Sequence, residues 1–149
     1  MRWTTAFLIG GLLTGCTGDA LAPVALQSGT ACANCRMTVL DAKLASQIVA
    51  PGEEPRFFDD LGCLAAYLRA HAGNHDGGRT YVADHASGAW IPAERAVYSR
   101  DPSVATPMDS HLLAYRDDTA RTADGAGRQI GRLTLPDVIA SAGEGRHDR

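Results

Sequence analysis

The chain has 149 residues, 45% hydrophobic and 21% charged, enough to bury a sizeable core as one compact domain or two small intimate ones. Its formal charge is -3, and removing a leader that carries Arg2 leaves 13 basic against 17 acidic residues, or -4. That balance excludes a basic face for nucleic acid.

Met1-Arg2 supplies a charged start, and Ala6 to Leu13 an apolar run too short to span a bilayer as a helix, so residues 1–15 read as a leader. Leu13-Thr14-Gly15-Cys16 resembles the lipobox of bacterial lipoproteins, in which cleavage before the Cys leaves it lipidated. Cys16 is then an anchor, holding the protein at a membrane surface in the cell envelope, facing the periplasm or cell exterior. Export favours disulfides, yet three cysteines remain, Cys32, Cys35 and Cys63. An odd number cannot all pair internally, so at least one is free, metal-bound or joined to another molecule.

Residues 16–30, rich in small and polar residues with Pro23, read as a tether, with a partly ordered arm as the alternative. The domain is expected over 31–142, in halves of about 31–84 and 85–142, before a flexible tail at 143–149. Met37 to Leu40 and Ala45 to Val49 read as strands joined by a turn at Asp41-Ala42-Lys43, a hairpin that begins at Cys32-Ala33-Asn34-Cys35-Arg36-Met37. After the loop Pro51 to Pro55, Arg56-Phe57-Phe58 begins another strand. Asp59 or Asp60 then caps a helix whose Leu61, Leu64, Ala65 and Leu68 form an apolar stripe. His71 and His75 flank the Gly-rich turn that ends it, and Thr80 to Ala83 returns as a strand.

The second half repeats the theme. Ala89-Trp90-Ile91, Ala96-Val97-Tyr98 and Leu112 to Tyr115 are strand candidates, and Asp117 or Asp118 caps a polar helix ending near Gly125. Gln129-Ile130 continues as a strand, and a last helix runs from the Thr134 cap through Ile139. Phe57-Phe58-Asp59-Asp60 and Tyr115-Arg116-Asp117-Asp118 each end a strand with an Asp pair that opens a helix, and a Gly-Arg step follows each helix, at Gly78-Arg79 and Gly127-Arg128. The expected class is α+β, with two related strand-strand-helix-strand units packed into one compact domain.

The chemistry gathers at the sulfur run. Thiolate and thioether prefer a soft ion, which points to Cu(I) before Zn and well before Mg or Ca. On a strand, Cys35 and Met37 would share a face with Cα atoms about 6 to 7 Å apart. Cys32 would reach the same place from the turn, and Met108, presented by Pro107, would close the site from the other half. A Cys32–Cys35 disulfide and a thioredoxin-like redox pair are the alternatives, although the latter should open a helix. A structural Zn site normally wants four ligands in two pairs, and no second pair exists. Cys63 reads as a small residue at the core's edge, or as a reactive thiol at a helix N-terminus. His85 and His111 are candidate additional ligands or surface histidines. Motifs of hydrolases, phosphate loops and zinc proteases are absent, and capping accounts for Asp59-Asp60, so the chain does not read as an enzyme.

Cys-x-x-Cys-x-Met at Cys32 to Met37, Phe-Phe-Asp-Asp-x-Gly-Cys at Phe57 to Cys63, Tyr-Val-x-Asp at Tyr81 to Asp84, Trp90-Ile91-Pro92-Ala93 and Thr106-Pro107-Met108 together resemble the ordered motifs of NosL-like proteins, lipoproteins that act as copper chaperones for nitrous oxide reductase. The resemblance implies that Cys35, Met37 and Met108 hold Cu(I), with Cys32 as a fourth participant. It also implies copper-receiving maturation machinery, or the reductase itself, as partner. Where relatives carry small residues after Thr-Pro-Met, this chain has Asp109-Ser110-His111, which leaves the part of His111 open. The rival functions are a thiol-disulfide protein that keeps a copper-site partner reduced, and a structural lipoprotein with a Cys32–Cys35 disulfide.

Overall fold

Short apolar runs punctuated by Gly and Pro become strands, and capped apolar stripes become helices, in a computed structural model that describes residues 21–72, 77–126 and 131–142. Cys16, His75, Gly127-Arg128, Gln129-Ile130 and the tail 143–149 lie outside the described residues. The first unit consists of strands β1 (Ser46–Val49) and β2 (Arg56–Phe58), helix α1 (Leu61–Ala70) and strand β3 (Arg79–Ala83). Strand β4 (Trp90–Pro92) extends the same antiparallel sheet in the order β2-β1-β3-β4. The second unit contains β5 (Val97–Arg100), β6 (Leu112–Tyr115) and the short helix α2 (Asp118–Ala123), and α3 (Leu135–Ser141) follows.

The α+β class expected from the sequence is the one that forms. In the first unit β1 lies between β2 and β3. In the second, β5 pairs with β6 on one side, while on the other Tyr98 exchanges backbone hydrogen bonds of 3.1 and 2.8 Å with Leu133. Both units therefore put their first strand in the middle. They share one core that joins Phe58, Leu64 and Val82 of the first to Tyr98, Leu112 and Ala114 of the second.

Helix α1 starts where Asp60, in extended conformation, accepts a hydrogen bond from the Gly62 N–H. Its stripe of Leu61, Leu64, Ala65 and Leu68 is buried as the 3.6-residue period requires, and Phe58 meets Tyr67 of the helix with ring centroids 5.1 Å apart. Truncating the fully buried Leu64 to Ala would cost about 2–5 kcal/mol.

The other face of the sheet has its own cover. Paired residues of antiparallel strands project to the same side, so Gln47 and Tyr81 face out together. Gln47 accepts from the Val24 N–H at 2.8 Å and donates to its carbonyl at 2.9 Å, and the Tyr81 hydroxyl donates to the Leu21 carbonyl at 2.8 Å. The described part of the expected tether, from residue 21 onward, is thus a strap against the sheet. With the shared core against one face and this strap against the other, all four residues of β1 are buried.

The hairpin expected at the sulfur run does not form. Met37 to Leu40 makes only an isolated bridge, Thr38 to Ala31, and β1 pairs with β2 and β3 instead. The segment's backbone bonds go back along the chain instead, the Met37 carbonyl to the Cys32 N–H and the Val39 N–H to the Thr30 carbonyl, across a turn at Arg36. Its φ of 68° is left-handed, which interrupts an extended run and costs a residue with a Cβ about 1 kcal/mol. The turn at Asp41 forms as expected, with the Lys43 N–H donating to its carboxylate at 2.8 Å.

Candidate metal centre

Residues 32–37 form a closed loop in place of a strand. The Cys32 N–H donates to the Met37 carbonyl at 2.7 Å, the Arg36 N–H to the Cys32 carbonyl at 3.0 Å, and the Val39 N–H to the Thr30 carbonyl at 2.9 Å. A further bond from the Ala33 N–H to the Phe57 carbonyl, 2.7 Å, fastens the loop to β2. Since β2 runs directly into the Asp59-Asp60 pair and α1, the loop is held against the start of that helix.

Three sulfurs and a carboxylate meet there. Ligand atoms of Cys32, Cys35, Asp59 and Cys63 all lie within 4.8 Å of one another, and the three cysteines are free thiols. Cys32, Asp59 and Cys63 are buried, and Cys35 is half-buried. The Cys35 thiol donates to Asp59 Oδ2 at 3.3 Å, and Asn34 Nδ2 donates to the Cys63 sulfur at 3.4 Å. Asp59 Oδ1, also buried, has no hydrogen-bond partner. A buried polar atom without a partner is costly, and here its carboxylate belongs to a cluster able to take up a cation.

Burial pushes the Cys35 thiol above its ordinary range, against a lowering hydrogen bond from the Met37 backbone. Burial raises Cys63 much further, with the Asn34 amide opposing it and the neighbouring Cys32 and Asp59 adding to the rise. Both are therefore protonated at neutral pH without a metal. A soft ion that bound here would displace those protons.

Of the residues singled out in the sequence, Cys32 and Cys35 belong to this constellation. Met37 is 50% exposed at the loop's exit and Met108 47% exposed, so both thioethers are open to solvent. Met108 lies close by: its N–H donates to Asp60 Oδ2 at 3.1 Å, and it lines a cleft of about 480 Å³ with Asn34, Gly62 and Cys63. The 106–110 loop packs so tightly on α1 that a Cβ added at Gly62 would stand 2.9 Å from the Ser110 Cβ.

The histidines are engaged elsewhere. Nδ1 of His111 contacts the Val104 carbonyl at 2.8 Å, and Nε2 lies 3.0 Å from Asp109. His85 lies 2.8 Å from Asp124 and edge-on to Tyr115. Neither has a ring nitrogen within the four-residue cluster.

Sequence reasoning missed Asp59 and Cys63 as members of the site. The odd thiol was a usable signal, as was the pairing of Asp and Cys within one quoted motif, but capping and core packing already accounted for both residues. A second unread signal is strain. The non-glycine residues with positive φ among those described are Arg36, Asp109 and His111, all beside the two methionines.

A core-shared α+β domain with three free thiols and an unsatisfied carboxylate at one helix start defines a candidate soft-metal site. The family model described as NosL matches residues 23–134, and the chain belongs to the NosL family. No individual curated protein matches it significantly. Family membership and the cysteine-aspartate cluster both fit a copper-binding role.

Proposed function

We propose that this protein is a lipid-anchored, non-enzymatic Cu(I) carrier that supplies copper for maturation of nitrous oxide reductase. The observation that carries the reading is the set of three free thiols around Asp59, in a chain of the NosL family. Thiolates and thioethers suit Cu(I), whereas a carboxylate is a hard donor. Cys35, Met37 and Met108, joined by Cys32, therefore make up the ligand set, and Cys63 is a further thiolate within reach. Asp59 is the outer partner that orients Cys35 and is placed to take up its proton as the metal binds.

Exposure orders the exchange. Met37 and Met108 meet solvent while Cys32 and Cys63 do not, so an incoming thiolate, thioether or imidazole attacks from the methionine side. The acceptor is copper-receiving maturation machinery or the reductase itself, and the lipid on Cys16 keeps the carrier at the envelope membrane facing the periplasm or cell exterior. No helix of the described residues is long and apolar enough to cross a membrane.

Titrating the reduced protein with Cu(I) against a competing chelator tests this, in wild type, Met37→Ala and Met108→Ala. One copper per chain is expected, with affinity falling about tenfold or more in each variant, a loss of the size seen when a metal site's supporting groups are removed. Absence of binding, or affinity indifferent to both methionines, would overturn the reading. Because the bound thiols must shed protons, affinity is also expected to rise with pH, by up to about tenfold per unit for each proton released.

A further inference from the structure

Three free thiols within 4.8 Å of one another also make up a covalent site, because they differ in access and in attachment. Cys35 is half-buried between exposed Asn34 and Arg36, whereas Cys32 is 0% and Cys63 2% exposed. A disulfide too large to enter the core therefore meets the sulfur of Cys35 first, since Cys63 shows almost no surface at the cleft wall. Cys32 shares the closed loop with Cys35, and its N–H and carbonyl are both tied within that loop, to Met37 and Arg36. Their sulfurs, already within 4.8 Å, have to close to about 2.05 Å, and both stand on one hydrogen-bonded turn. Cys63 stands on α1, with its sulfur held by Asn34.

We propose that Cys35 is a thiol-disulfide exchange site for small disulfides of the glutathione type, with Cys32 as its resolving thiol. The small deprotonated fraction of Cys35, its proton given to solvent, attacks one sulfur of the small disulfide; a Cys35–S bond forms, the S–S bond breaks, and the first small thiolate leaves. The Cys32 thiolate then attacks the Cys35 sulfur, forming Cys32–Cys35 and expelling the second. Two protein thiols are oxidised, one disulfide is reduced to two small thiols, and the two protein protons end on them. Cys63 stays reduced beside Asp59. On the copper reading above, which this consequence rests on, the oxidised loop keeps one thiolate of three and releases or refuses the metal, so copper and disulfide exclude each other.

The test uses the reduced, metal-free full chain with oxidised glutathione under anaerobic conditions, followed by alkylation and peptide mapping by mass spectrometry. Expected among Cys32, Cys35 and Cys63 are a Cys32–Cys35 cross-link with Cys63 alkylated, and at least about tenfold slower reaction at these positions in Cys35→Ser, where Cys32 and Cys63 are buried. A glutathione adduct that persists on Cys35, a cross-link to Cys63, or alkylation of Cys32, Cys35 and Cys63 alike would each overturn the proposal. A second arm repeats the reaction after one equivalent of Cu(I), measured by chelator competition, and expects all three thiols to be protected. Normal cross-linking in a chain that takes up no copper sinks the carrier reading and leaves the exchange site standing. Copper uptake with no cross-link in the metal-free arm sinks the exchange site alone.

Discussion

The two helix starts that follow β2 and β6 use the same dipeptide for different ends. At Asp59-Asp60 the second aspartate is the cap, bonding Gly62, whereas at Asp117-Asp118 it is the first, whose carboxylate accepts from the Ala120 N–H at 2.7 Å. That one-residue offset decides what the spare carboxylate does. In the first unit it precedes the helix, points inward and is 1% exposed among three thiols. In the second it is the first helical residue, 56% exposed and paired with Arg121 at 2.8 Å. Aligned on their caps, Cys63 corresponds to Ala120, both buried. A helix start thus becomes a candidate metal centre when the cap moves one position and a small buried residue becomes a thiol.

The comparison breaks first at the caps themselves. Asp60 is 1% exposed and bonds both Gly62 and the Met108 N–H, while Asp117 is about half exposed and caps only its own helix. Asp60→Ala is expected to cost about 2–4 kcal/mol in urea denaturation and Asp117→Ala about 1 kcal/mol, from the worth of a cap and of a buried hydrogen bond left unmade. Equal losses would mean that the Met108 loop draws nothing from Asp60.

Next in size is the spare carboxylate. Asp59→Asn keeps the shape but removes the charge beside Cys35, and copper affinity should fall about tenfold, the low end for an outer-shell partner. Asp118→Asn, on a solvated helix face, should leave affinity unchanged in the same chelator competition. A loss shared by both variants would point to net charge and not to the site.

The smallest effect is the pH dependence that the second unit and α3 contribute. Burial raises the Asp124 carboxyl, but the His85 hydrogen bond and others outweigh it, so its pKa ends below the ordinary value. The Thr134 hydroxyl and N–H lower Asp137 in the capping box of α3. Folded values below unfolded ones add stability above the unfolded pKa, near 3.9, and lose it as pH falls through the folded values. Thermal unfolding from pH 6 down to 2 should show midpoints dropping below about pH 4, less steeply in Asp124→Asn. An unchanged slope in that variant would take Asp124 out of the account.

Tyr-Val-x-Asp was quoted only as part of a resemblance, and the structure supplies its physical content. Buried Asp84 accepts from the Ser87 hydroxyl and, at 3.2 Å, from the Arg116 N–H, while the His85 N–H donates to the Ala114 carbonyl at 2.8 Å. The motif joins the end of β3 to β6 and so links the two units. Nothing in local spacing carried this link, because Arg116 and Ala114 lie about thirty positions away.

Elements set by local physics were legible in the sequence. The α1 stripe, a cap at each Asp pair though not which aspartate, the Thr134 start and the strands read at Ala45 to Val49 and Leu112 to Tyr115 follow from period, capping and β-branched or aromatic runs, which act within a few residues. The strand at Met37 to Leu40 was misread because alternation of apolar residues cannot reveal a left-handed Arg36 bonded back to Cys32, in a loop that Val39 and Ala33 fasten to Thr30 and Phe57. By itself the sequence determined the α+β class, the three thiols that cannot all pair and the softness of the sulfur run, since these depend on composition and short spacing. Only the tertiary structure decided that Cys63 and Asp59 join Cys32 and Cys35, and that Met108 reaches their neighbourhood through Asp60. Those placements depend on where β2 delivers the start of α1 and on what packs over it, distances through space that no local pattern encodes.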